Sequence, residues 1–116
     1  LRQLREAIVN HFVAEERCVY SRCAESKQED LRDLARHGER EHLQIRELLW
    51  SMSPPDVTDP QWPAKVRKIS KSLYDYATRE ERELFPRLMR TYGPAERDFI
   101  RREYADYSEQ RKAAAA

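Results

Sequence analysis

The chain has 116 residues and a formal net charge of +1; residues 1–63 carry 9 basic and 12 acidic side chains and residues 64–116 carry 13 and 9, an interleaving that offers no basic tract to nucleic acid. With 40% hydrophobic residues and two glycines, it has material for one core, but not for the tight turns of a β-sandwich or for a glycine-rich phosphate loop. No apolar run nears the roughly 20 residues of a membrane span and no signal peptide is visible, so composition predicts a soluble, all-α domain.

The first element runs from Leu1 to about Ala24. Its stripe is Leu4, Ile8, His11, Glu15 and Cys18, a helical spacing continued near Val19. Ser26 and Glu29 form an S-x-x-E capping box, which predicts a second helix from about Lys27 to Met52. Its inward positions are Leu31, Leu34, Gly38, His42, Ile45, Leu49 and Met52. Ser53-Pro54-Pro55-Asp56 breaks the chain.

Thr58-Asp59-Pro60-Gln61 reads as the start of a third helix that reaches about Arg90. Its stripe is Val66, Ile69, Leu73, Tyr76, Glu80, Leu84 and Leu88, and Pro86 should kink it. Gly93-Pro94 separates it from a shorter helix, about Ala95 to Lys112, with Phe99, Ile100, Tyr104 and Tyr107 on its apolar side. The expected organisation is one domain over residues 1–112 and a tail over 113–116. Helices joined by short loops predict an antiparallel bundle of three long helices plus a shorter C-terminal one.

The stripes are interrupted by His11, Glu15, His42, Tyr76 and Glu80. A buried carboxylate is normally paired, protonated or bound to a cation. Two carboxylates and two imidazoles facing one interior suggest a metal ion, since facing histidines and glutamates build carboxylate-bridged metal bundles. His11-x-x-x-Glu15 and Tyr76-x-x-x-Glu80 each project two side chains to one face. Either pair alone is a weak signal; the convergence of all five carries the argument. His37 is offset from its stripe. Glu16 and Glu81 should point sideways, with Arg17, Arg79 and Arg82 as partners. Trp50, Trp62 and Phe85 should pack at the bundle ends.

Cys18 and Cys23 are five apart on one helix, which does not present them to each other for a disulfide. Reduced thiols predict a cytoplasmic setting. No serine or cysteine shows the adjacent base and orienting group of a nucleophilic enzyme, and the sequence does not point to catalysis.

The phrase His11-Phe12-Val13-Ala14-Glu15-Glu16 with Val19-Tyr20, then Glu41-His42-x-x-Ile45, then Glu80-Glu81-x-Glu83-Leu84-Phe85-Pro86, resembles the hemerythrin-like, or HHE cation-binding, family in order and spacing over roughly residues 1–92. The resemblance implies a four-helix bundle holding a non-heme, usually di-iron, centre that binds dioxygen or senses oxygen or iron. It makes His11 and His42 terminal ligands and Glu15 and Glu80 bridges. The chain departs from the pattern twice. It begins at what resembles the family's second helix, and Tyr76 stands where the family offers a histidine.

Three outcomes are open: a phenolate ligand at Tyr76, a mononuclear or weak site, or a metal-free bundle in which Tyr76 only hydrogen-bonds. The leading expectation is an iron-binding, oxygen- or iron-sensing domain with an atypical site. The other is a metal-free module for protein interaction or regulation. Three long helices leave an apolar groove, to be filled by the last helix or by a second chain in a homodimer, which is the favoured expectation.

Overall fold

The computed structural model describes residues 2–52 and 55–115. Among them every regular element is helical: α1 (Arg2–Glu15), a π turn (Glu16–Tyr20), α2 (Ser21–Ala24), α3 (Glu29–Ser51), α4 (Trp62–Arg79), a second π turn (Glu80–Leu84), α5 (Phe85–Thr91) and α6 (Pro94–Ala115). The first three run on as one helix, as do α4, the second π turn and α5. The smallest dimension is 18 Å, two helix diameters of roughly 10 Å each. The bundle is two helices deep.

Two helix starts differ from expectation. α3 begins at Glu29 because the Ser26 hydroxyl accepts from the Gln28 N–H (3.1 Å) instead of capping one residue further on. The Ser26–Glu29 capping box is therefore not formed. α4 begins at Trp62 with Pro63 in its first turn, and Asp59 accepts from the Gln61 N–H (2.9 Å) ahead of it. Of the expected break, Ser53 and Pro54 lie outside the described residues. The last helix is longer than expected, reaching Ala115.

Pro86 does not simply kink its helix. The second π turn precedes it, and the Phe85 N–H reaches back five residues to the Glu80 carbonyl. A fresh α segment starts at Phe85, and Pro86 falls in its first turn, where the missing N–H matters least. α6 lies along α1 and the first π turn. It is held there by Arg111 to Asn10 (3.0 Å), by Arg22 to Glu103 (3.5 Å) and by Arg17 over the Tyr107 ring.

The core is divided. One apolar cluster gathers Phe12, Ile45, Leu49, Met52, Ile69 and Tyr76. The other gathers Tyr20, Cys23, Leu31, Ala35 and Leu84. Between them, on the middle turns of the helices, lies a polar layer. Trp62 packs against the first cluster, but Trp50 and Phe85 do not close the bundle ends as expected and are exposed. Leu4 and Val66 are also exposed despite their stripe positions. Cys18 and Cys23 are buried and unpaired. Burial and then the Glu15 charge push the Cys23 thiol up to about 11.

Candidate metal centre

The polar layer consists of Glu15 at the end of α1, His42 in mid α3 and Glu80 at the start of the second π turn. Their exposures are 4%, 0% and 4%. One donor atom from each lies within 4.8 Å of the others. The imidazole of His42 is clamped between rings: Phe12 stacks at 3.9 Å and 10°, Tyr20 at 5.1 Å and 24° on the ring centroids. Tyr76 meets it edge-on at 5.1 Å.

Inside this clamp both His42 nitrogens are shielded from solvent and lack a hydrogen-bond partner. Nε2 lies 3.3 Å from Glu15 Oε1 and Nδ1 lies 3.6 Å from Glu16 Oε1. Glu16 is in turn held by Arg46 at 3.1 Å. Buried polar nitrogens are almost always satisfied. An imidazole with one nitrogen facing Glu15 and the other facing Glu16 suits metal ligation, in which an outer carboxylate orients the ring. The donor set fits a cation.

Two phenols complete the layer. Tyr76 donates to Glu15 Oε1 at 2.7 Å, and Tyr20 donates to Glu80 Oε1 at 2.5 Å. Burial first, and then the charges of Glu15 and Glu80, drive both phenols well above the ordinary tyrosine value. They are neutral donors around the carboxylates.

The two carboxylates differ. Burial pushes Glu15 up, but the close approach of the His11 and His42 imidazoles, the Glu80 carboxyl and the Tyr20 phenol outweighs it and holds the carboxyl well below its usual range. Glu80 is pushed up, first by burial and then by the hydrogen bond and charge of Glu15. The pair therefore shares one proton, and Glu80 holds it. Burial opposes charge on His42, yet Glu15 and Glu16 raise its pKa above the ordinary imidazole value.

The five residues expected from sequence are not equally placed. Glu15, His42 and Glu80 converge. Tyr76 is buried and bonded to Glu15. His11 stands at the rim, its side chain 48% exposed, with Nε2 3.5 Å from Glu15 Oε2 and 3.5 Å from the Tyr76 hydroxyl. The Tyr104 hydroxyl of α6 bonds its Nδ1. His37 is exposed and faces Glu41.

Sequence reasoning placed neither Tyr20 nor Phe12 at the site. On an α-helix Tyr20 would sit about 140° around from Glu15 at 100° per residue. The π turn between them, closed by the Ser21 N–H on the Glu16 carbonyl, brings Tyr20 onto the Glu15 face. Gly38 of α3 seats its tip, since a Cβ there would collide with the Tyr20 ring and hydroxyl. Arg79 lies behind, bonded to Glu41 at 2.5 Å.

The hemerythrin HHE cation binding domain pattern matches residues 1–88. The chain belongs to that family. No curated protein and no solved structure matches it. The helical bundle and the buried Glu15–His42–Glu80 group accord with membership in a cation-binding family. α6 lies beyond the matched residues. Among the described residues no helix is long and apolar enough to cross a membrane.

Proposed function

We propose that this hemerythrin-family domain binds one non-heme iron ion through Glu15, His42 and Glu80, with His11 at the rim and the buried Tyr76 as further donors, and serves as an oxygen- or iron-responsive module. The carrying observation is His42, wholly buried and with both ring nitrogens unpartnered beside three carboxylates. One imidazole and two carboxylates suit a divalent or trivalent first-row metal. When bound, iron supplies a redox-active centre. The chain's part is to fix His42 between Phe12 and Tyr20, to hold Glu15 ionised, and to give up the Glu80 proton when a cation takes its place. Family members usually hold two irons. Here a phenol stands at position 76 and His11 is half-exposed, which favours one ion. The two buried, unpaired cysteines support a reducing, cytoplasmic setting.

A second reading draws on the exposed Phe85, Met89 and Phe99. It is a metal-free bundle that acts as an interaction module, pairing as a homodimer.

Anaerobic reconstitution with ferrous iron, followed by elemental analysis and a visible spectrum, separates the two. The first reading expects about one iron per chain, and a Glu15→Ala loss of affinity above the roughly 10- to 100-fold of an outer-shell change. Protein that takes up no iron and is a stable dimer would replace it with the second.

A further inference from the structure

We propose that the groove between the first π turn, α5 and α6 is a binding site for a small anionic amphiphile, an alkyl carboxylate of medium length. The groove encloses about 650 Å³, inside the range of roughly 300–1,000 Å³ typical of small-molecule sites. Its walls are Val19, Leu88 and Ile100, and its lip is Phe85 and Met89. Phe85 is 45% exposed and Met89 62%. Adjacent large apolar side chains left open to water mark a surface built to be covered.

The ends of the groove differ in charge. At one end Arg97 lines it, with Nε shielded from water and without a hydrogen-bond partner. A guanidinium with an N–H left unpartnered is matched by a carboxylate, an acceptor of charge-assisted hydrogen bonds. Arg101, exposed and paired with Asp98, adds positive field nearby. The other end is closed by Tyr104, His11 and the Glu15 carboxylate.

Arg97 and Tyr104 are seven residues apart on α6, about 10 Å along the axis. An anion is attracted at the Arg97 end and repelled at the Glu15 end. The head therefore sits on Arg97, and the chain lies over Val19, Leu88 and Ile100. α6 supplies the cation and one apolar wall, so the part of this chain beyond the family match completes the site. One end of the groove meets the polar layer at Glu15, so the test uses metal-free protein.

The test is calorimetric titration of the full chain, treated with chelator, using decanoate and, as the uncharged control, decanol. Decanoate should bind saturably, one per chain, and about tenfold more tightly than decanol. Arg97→Gln should bring decanoate down to the level of decanol. Ile100→Trp, which fills the groove from a helix outside both core clusters, should abolish binding of both while circular dichroism stays helical. Three results would overturn the proposal: no saturable binding, equal affinity for decanoate and decanol in the unaltered protein, or a stable dimer that decanoate does not bind. Because the protein is metal-free in this experiment, failure here leaves the iron reading untouched, and failure of iron uptake leaves this one untouched.

Discussion

The α1 and α4 helices carry the same device. In each, two polar side chains four residues apart share one face, His11 with Glu15 and Tyr76 with Glu80. In each, a π turn begins within one residue of the carboxylate. Yet the outcomes are opposite. Glu15 is surrounded by donors and stays ionised, whereas Glu80 faces Glu15 and is pushed toward its neutral form. His11 is half-exposed and tied to α6, whereas Tyr76 is 5% exposed and tied to Glu15. A shared backbone places the carboxylates, and the neighbouring residue sets their charge. Burial alone raises both, and the count of hydrogen-bond donors decides between them.

The strongest way to break the comparison is to make the two helices alike. Tyr76→His removes the phenol that bonds Glu15 and puts a nitrogen donor opposite His11. If the phenol is what limits the layer to one ion, elemental analysis of the iron-reconstituted variant should rise from about one to about two metals per chain, the family's usual complement of two facing glutamates and histidines. An unchanged stoichiometry would place the limit at the exposed His11 instead.

The α stripes and the polar residues within them were legible because both rest on a 3.6-residue period. Leu31, Ile45, Leu49, Ile69 and Leu84 are buried where that period puts them, as are Glu15, His42 and Glu80. What the period could not carry is the two π turns. Each adds a residue and rotates the helix beyond it, which brings Tyr20 to Glu80 and sets Pro86 in a first helical turn. Pro86, which suits a fresh first helical turn, hints at the second π turn; no proline follows the first. The partner of Glu16 proved to be Arg46, and that of Arg79 proved to be Glu41. Those pairs depend on how helices meet, which spacing along one chain does not encode. α6 against α1 is of the same kind.

A second test sharpens the contrast in charge. In the metal-free protein the unfolded chain ionises Glu80 from about pH 4.5, while the folded chain keeps the proton. Folding then binds more protons than unfolding, so stability falls as pH rises above that value. His42, raised from 6.5, acts in the same sense at higher pH. Glu15, lowered, acts oppositely, and its contribution is lost as pH falls below 4.5. Urea unfolding between pH 5 and pH 8 should therefore show declining stability. Glu80→Gln keeps the neutral form in place and should flatten the decline, by up to about 1.4 kcal/mol per pH unit. Equal slopes for the two proteins would mean that Glu80 does not hold the proton.

The smallest expected effect is the most diagnostic in sign. Gly38 sits in the interior of α3, where glycine is worth roughly 1 kcal/mol less than alanine. On propensity alone Gly38→Ala should stabilise. The alanine methyl, however, would occupy the seat of the Tyr20 ring and hydroxyl, and overpacking of this kind costs about 1–3 kcal/mol. The net expectation is destabilisation by about 1 kcal/mol, the excess of overpacking over propensity. The same change in a Tyr20→Leu background meets no phenol and should revert to a gain of about 1 kcal/mol. Chemical denaturation of the four proteins reads this coupling directly. If the sign reverses between backgrounds, Gly38 is the seat that keeps Tyr20 on Glu80, and the phenol's hydrogen bond to that carboxyl depends on a glycine of the preceding helix. If Gly38→Ala stabilises in both, Tyr20 moves freely and α3 does not fix its bond to Glu80.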